Sequence, residues 1–384
     1  MRSLSLNIII TFISLSVFAQ YPTGHRTITY QDPARSDRNI ETEIYYPAVS
    51  AGNNTDVASG QFPILVFGHG FVMSVSSYEN IWTVLTPLGY IVALPTTEGG
   101  APNHSEFGKD LAFLISKLQS EGSNASSPFY QKVGTTSAMM GHSMGGGVSF
   151  LGCENNTLPT VMVTFAAAVT NPSSTTAAAN VTIPTLVISG ADDCVAPPDE
   201  HQLLMYNALA SSCKVYISIT NGGHCNFANY NLACTFGEET CNPGGVDITR
   251  EEQQAITMSF LIPYLDFFLK GVEVSWYEFT DSLTNSTKIT HIKNCDIDPS
   301  GIAEAKNTEV NIYPNPSTGN LNISLAGDER AFIELSDITG RVILKRETDR
   351  QITKLDISTL IQGVYFVKVI NANDSHVTRR IIKM

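Results

Sequence analysis

The ten residues Met139–Val148, MMGHSMGGGV, put one hydroxyl, Ser143, in a run where four of the other nine positions are glycine. A glycine inside a regular element costs ~0.5–1 kcal/mol relative to alanine, so this density marks a sharp turn or a backbone that something approaches closely. The preceding stretch TTSAMMGHS reads as a buried strand, and a helix opens at Met144. Ser143 therefore stands at a strand-to-helix turn.

Working outward, apolar runs alternate with helical patterns. FPILVFGHG from residue 62 reads as a buried strand, SSYENIWTVLTPLGY as a helix, IVALPTT as a strand and SEFGKDLAFLISKLQSEG as a helix. Beyond the serine come the strands TVMVTFAAA and TLVISGA, the helix DEHQLLMYNALAS and KVYISIT as the last strand. TREEQQAITMSFLIPYLDFFLKG is a closing helix, with a kink expected at Pro263. Nearly continuous Val, Ile, Leu and Phe in such strands require a mostly parallel sheet covered on both faces, a doubly wound α/β domain. Upstream, RTITYQDPARSDRNIETEIYYPA alternates apolar and polar residues as an antiparallel pair would.

Residues 1–19 read as a secretory signal peptide: Arg2, an apolar run from Leu4 to Phe18, then Ala19. No other stretch has the ~18 or more uninterrupted apolar residues of a spanning helix, so no stable membrane insertion is expected. The domain expectation is a signal peptide at 1–19, a catalytic domain at 20–297, a polar linker at 298–309 and a small all-β domain at 310–384. The seven cysteines fall in an oxidising context, where disulfides are the default. Cys194 and Cys225 directly follow Asp193 and His224, and a disulfide between them is expected to tie the two loops. The cysteine spacing does not fit zinc, so no metal or cofactor is expected. Residues 1–309 hold 28 acidic against 13 basic side chains, and residues 310–384 hold 8 against 10. The acidic main domain argues against nucleic acid as a partner.

GHSMG fits G-x-S-x-G, a weak pattern alone but a specific one between strand and helix, where a nucleophile elbow exposes its hydroxyl. A serine needs a base, and the base a carboxylate to orient it. In hydrolases the acid and then the histidine follow the serine in the chain. Asp192 and Asp193 follow a strand, 49 and 50 positions past Ser143, and His224 follows the last strand in NGGHCNF. His142 is expected to point away from the serine; His201 lies on a helix, His104 in an early loop and His69 in FGHG. The oxyanion N–H groups are expected from Met144 and from Phe71, with Gly70 the lesser choice.

FGHGF, MGHSMGGG, GADDCVAP, KVYISI and GGHCNF together resemble the secreted α/β-hydrolases of the cutinase and polyester (PET) hydrolase group, relatives of chlorophyllases and platelet-activating-factor acetylhydrolases. The resemblance spans roughly residues 25–270. It implies the α/β-hydrolase fold, favours Asp193 over Asp192 as the acid, and assigns Met144 and Phe71 to the oxyanion hole. The loop AAAVTNPSS lacks the tryptophan usual in enzymes that attack aromatic polyesters, and an insertion, CNFANYNLACTFGEETCNPGG, lengthens the histidine loop. Phe227 and Tyr230 are candidates for the missing aromatic wall. YPNPSTGNLNIS, DITGRVI, LIQGVYFVKV and TRRIIKM resemble the sorting domain of type IX secretion in Bacteroidota, which implies export through that machinery.

The expectation is a secreted, monomeric serine carboxylesterase with Ser143, Asp193 and His224 as catalytic residues, acting on polyester or cutin-like esters. Small lipid or pigment esters are the alternative substrates, and a binding protein on a hydrolase scaffold is the distant third.

Overall fold

A computed structural model describes residues 21–297, 310–315, 317–325, 331–337, 341–371 and 376–383. The expected signal peptide (1–19) and linker (298–309) lie outside the described residues. The chain divides into two compact units after Ile297.

In the first unit, β1 (Thr23–Asp32) pairs antiparallel with β2 (Arg38–Pro47) in the expected hairpin, and the short β3 (Gly52–Asn53) lies outside β1. Next come β4 (Phe62–Gly68), α1 (Glu79–Leu85), β5 (Ile91–Pro95), α2 (His104–Glu121), β6 (Val133–His142) and α3 (Met144–Cys153). They are followed by β7 (Val161–Phe165), α4 (Ser174–Ala178), β8 (Thr185–Gly190), α5 (Gln202–Ala208) and β9 (Cys213–Ile219). The unit closes with α6 (Leu232–Cys241), α7 (Arg250–Lys270), α8 (Glu273–Asn285) and β10 (Ile289–Cys295).

One sheet of ten strands results, in the order β10-β9-β8-β7-β6-β4-β5-β2-β1-β3. Pairing is parallel from β5 through β4, β6, β7 and β8 to β9, and antiparallel at β5/β2 and β9/β10. Because strand side chains alternate between faces, each central strand feeds two cores. Leu65 and Phe67 of β4 pack with α1, α7 and α8 through Trp82, Leu261, Tyr264 and Phe279. Ile64 and Val66 pack on the other face with α2 and α3 through Phe107, Leu111, Val148 and Phe150. Burial on both faces explains why these strands are apolar throughout. The α7 helix, capped by the Thr249 side chain and ended by Gly271 at φ 69°, continues through Pro263.

The expectation that KVYISIT is the last strand is corrected. The chain adds α8 and then β10, which pairs with β9 from Ile289 opposite Ile219 to Cys295 opposite Cys213. The interior of β10 is exposed, so THIKN carries polar and charged groups suited to a sheet edge rather than an apolar run. Cys213 and Cys295 form a disulfide there.

The second unit is all-β. Strands β11 (Asn311–Tyr313), β12 (Asn320–Ser324) and β15 (Ile352–Asp356) form one antiparallel sheet. A second holds β13 (Ala331–Asp337), β14 (Val342–Thr348), β16 (Gly363–Asn371) and β17 (His376–Lys383). Leu321, Ile323, Ile333, Leu355 and Val367 share one core.

The Cys213–Cys295 bond spans 82 residues and anchors an edge strand that buries little. Replacing both cysteines with alanine is expected to cost about 2–5 kcal/mol of folding stability. Urea unfolding of the variant beside the parent measures this; coincident midpoints would contradict it.

Candidate active site

The carboxyl ends of β6 and β8 and the loop after β9 carry the three side chains singled out from the sequence. Ser143 links β6 to α3 at φ 56° and ψ −119°, a conformation L-residues rarely adopt. Its backbone is fixed on both sides: its N–H donates to Phe165 O at 3.0 Å, and its carbonyl accepts from Ala168 N at 2.9 Å and Gly147 N at 3.0 Å. The glycines serve close packing. A Cβ on Gly145 would stand 2.0 Å from Gly68 O, and one on Gly147 would stand 2.0 Å from Ala168 O. Helix α3 can therefore press onto the ends of the neighbouring strands and hold the hydroxyl at the sheet edge.

His224 Nε2 lies 2.9 Å from Ser143 Oγ, and His224 Nδ1 lies 2.7 Å from Asp193 Oδ2. The other oxygen of Asp193 accepts from Val195 N at 2.9 Å and Ala196 N at 2.8 Å, which fixes the carboxylate. With Asp193 ionised, Nδ1 carries the proton and donates, leaving Nε2 to accept from the serine hydroxyl. Asp193 and His224 are buried, whereas Asp192 is exposed.

The Gly70 N–H is already given to Tyr78 Oη at 2.7 Å. Among the described residues no hydrogen bond within the protein uses the Phe71 N–H, and Met144 is the first residue of α3, where backbone N–H groups lack helical partners. Both therefore remain available to an oxyanion.

His142 turns away from the hydroxyl, as expected, but reaches the histidine loop. Its Nε2 donates to His224 O at 3.0 Å, so its Nδ1 accepts from the Tyr78 hydroxyl at 3.0 Å. Complete burial, with His224 beside it, holds its pKa well below the usual imidazole range and keeps this tautomer neutral. The rest of the loop is held in the same way. Gln253 donates to Gly223 O and accepts from Gly223 N, both at 2.9 Å, and Arg250 Nη1 donates to Cys225 O. This clamp was not legible, because His142 stands 82 positions and Gln253 30 positions from the groups they bind, with no motif linking them. Three further histidines fix loops. His201 Nδ1 accepts from Val169 N at 2.9 Å, His104 Nδ1 accepts from Asn171 N at 3.0 Å, and His69 lies between Gly70 O and Thr97 O.

Two expectations are corrected. Cys194 and Cys225 are not joined to each other: Cys194 pairs with Cys241 and Cys225 with Cys234, because the insertion folds into α6 between the two loops. Cys153 is free and buried, and desolvation raises its thiol pKa. Phe227 does not wall the site. It is 3% exposed and packs against Phe165 and His142 in the core, while Tyr230 is 65% exposed. Trp82 stacks on Tyr45 and Trp276 packs among Phe267 and Phe279, so neither supplies the wall. Among the described residues no group of three or more His, Cys, Asp or Glu is arranged to hold a metal ion.

A mostly parallel sheet with a strained serine between strand and helix, and a histidine and a carboxylate arriving from later strand ends, defines an α/β-hydrolase. Residues 20–237, more than half of the chain, match the family described as PET hydrolase-like. The chain belongs to that family and is a hydrolase of the cutinase and PET hydrolase-like group. Residues 311–384 match the secretion system C-terminal sorting domain, which marks the protein for export by the type IX machinery, either released or attached at the cell surface. Among the described residues no helix is long and apolar enough to cross a membrane.

His142 gives a pH prediction. Its folded pKa lies below its unfolded value, so the unfolded chain takes up the proton first; the stability is intact above ~6.5 and is lost as pH falls below it, at about 1.4 kcal/mol per pH unit. His142→Gln keeps a donor for His224 O and an acceptor for Tyr78 without titrating. Its urea midpoint should fall less between pH 7 and pH 5.5 than the parent's, and parallel losses would contradict the assignment.

Proposed function

We propose that the protein is a secreted serine carboxylesterase that cleaves polyester or cutin-like esters through an acyl-enzyme. The observation that carries this reading is the continuous hydrogen-bonded chain from Ser143 Oγ through His224 to Asp193, at 2.9 and 2.7 Å, on a strained elbow. His224 Nε2 takes the Ser143 proton as Oγ attacks the ester carbonyl carbon. Negative charge gathers on the carbonyl oxygen, where the Met144 and Phe71 N–H groups receive it. Asp193 stabilises the imidazolium. His224 then returns the proton to the leaving alkoxide, and the carbon–oxygen bond to the alcohol breaks, leaving the acyl group on Ser143. Water, deprotonated by the same nitrogen, attacks the acyl carbonyl; the acid leaves and Ser143 recovers its proton. Preorganised donors aimed at the developing oxyanion contribute much of such an acceleration, with one donor worth roughly 10²–10³ in kcat.

The polymeric substrate rests on openness. Only the short α4 lies between β7 and β8, so no lid domain is inserted there. Phe71, 54% exposed, and Tyr230 are large apolar surfaces on loops that also carry or follow the reacting groups. A cleft of about 620 Å³ opens beside the oxyanion loop, between Tyr45, His69, Val72 and Met73. Tyr230 is proposed to contact the substrate; Phe227 is not.

Two outcomes are expected. Ser143→Ala should lower kcat on a short p-nitrophenyl ester by roughly 10⁴-fold or more, and Asp193→Asn by about 10⁴-fold, in proteins whose circular dichroism matches the parent. Parent activity in the Ser143 variant would remove the proposal. The full chain should also release acid from an aliphatic polyester film, and Tyr230→Ala should slow that release several-fold while sparing the soluble ester. Hydrolysis of the soluble ester with no release from film would assign the protein to small lipid or pigment esters instead.

A further inference from the structure

Helix α6 is an insertion within the histidine loop, and its sequence LACTFGEETC divides by face. Cys234, Glu238 and Cys241 follow the i, i+4, i+7 spacing of one stripe. Leu232 and Phe236, four residues apart, are about 70% exposed (72% and 70%), and the one buried side chain of the helix is the carboxylate of Glu238. An exposed helix gains nothing by burying a lone carboxylate unless that group meets donors. Here it does. Glu238 Oε1 accepts from His224 N at 2.5 Å and lies 3.4 Å from Cys225 N. Its approach needs Gly223, on which a Cβ would stand 2.4 Å from the same oxygen.

The two cysteines of the stripe fasten the helix on either side of this contact. Cys241 is bonded to Cys194, the residue after Asp193, and Cys234 is bonded to Cys225, the residue after His224. Both loops that supply the acid and the base are thus joined to the helix that carries Glu238. The carboxylate stands one residue beyond the stretch matched to the PET hydrolase-like family.

We propose that Glu238 is a positioning residue for the catalytic base: by accepting the backbone N–H of His224 it fixes the imidazole between Ser143 and Asp193, and the Cys194–Cys241 and Cys225–Cys234 bonds hold it in place. The proposal rests on the reading of His224 as the base. His142 holds the carbonyl of the same residue, so loss of Glu238 leaves the carbonyl side of His224 anchored and frees its N–H side. A displacement of about 1 Å in a catalytic group costs on the order of 10²-fold in rate.

The test uses the full chain, a soluble p-nitrophenyl ester, and a serine-directed phosphonate to count active sites. Glu238→Ala should lower kcat per titrated serine about 10- to 100-fold with KM within about twofold. Glu238→Gln, which retains an oxygen for the His224 N–H, should recover most of that loss. Unchanged kcat per titrated serine in Glu238→Ala would overturn the proposal, as would a loss confined to the number of titratable sites, the signature of a folding role. If the alanine variant does not fold, the paired Cys194→Ser, Cys241→Ser variant decides. It keeps Glu238 but frees one end of its helix, and should lower kcat at constant KM; unchanged kcat would again overturn the proposal. A parent chain that takes up no phosphonate would overturn the serine-esterase reading and this proposal with it.

Discussion

Ser143 is held at φ 56° against its own steric preference, and the carboxyl edge of the sheet is built around that turn. A backbone in this region costs of order 1–3 kcal/mol and persists only where its surroundings over-determine it. Phe165 O and Ala168 N bond the serine backbone from the neighbouring strand end, and Gly145 and Gly147 let α3 lie against Gly68 and Ala168 closely enough to stop the turn relaxing. Substituting either glycine would drive a Cβ into backbone rather than into a movable side chain. The density of glycine in Met139–Val148 is thus explained by contact distance.

The histidine loop meets a different constraint. It lies outside the sheet ladder, yet it is buried, so its backbone groups need partners elsewhere. Gln253, His142, Glu238 and Arg250 supply them, from α7, from the strand before the serine and from the insertion. Such a set of side-chain partners makes the loop nearly as fixed as a strand end, and the Cys225–Cys234 and Cys194–Cys241 disulfides tie this loop and the loop of Asp193 to α6. Export by the type IX route is consistent with this, since the disulfides require an oxidising compartment.

The sequence made the α/β core legible because β4 through β9 are buried on both faces and declare themselves as apolar runs. It also made the meeting of Ser143, Asp193 and His224 legible, since an elbow and the ends of two later strands place them along one edge by topology alone. It was silent on β10, whose exposed THIKN interior has no apolar pattern to read. It misled on the cysteines, because adjacency to Asp193 and His224 suggested a direct bond where a folded helix intervenes. Phe227 and Tyr230 looked alike in one insertion, and only the packing of Phe227 against Phe165 and His142 separates a core ring from an exposed one. The purpose of His142 is not legible, since a bond to a backbone carbonyl 82 residues away leaves no trace in local pattern.

The account turns on Ser143 carrying the acyl group. The most direct measurement is to mix the full chain with a slowly deacylating ester, quench in acid within the first turnover, digest, and locate the acyl mass by peptide mass spectrometry. The account predicts one acyl group per chain, on the peptide containing Ser143, appearing with the burst of alcohol and decaying as acid is released. Ester turnover with no acylated peptide, or with the acyl group on another residue, would contradict it.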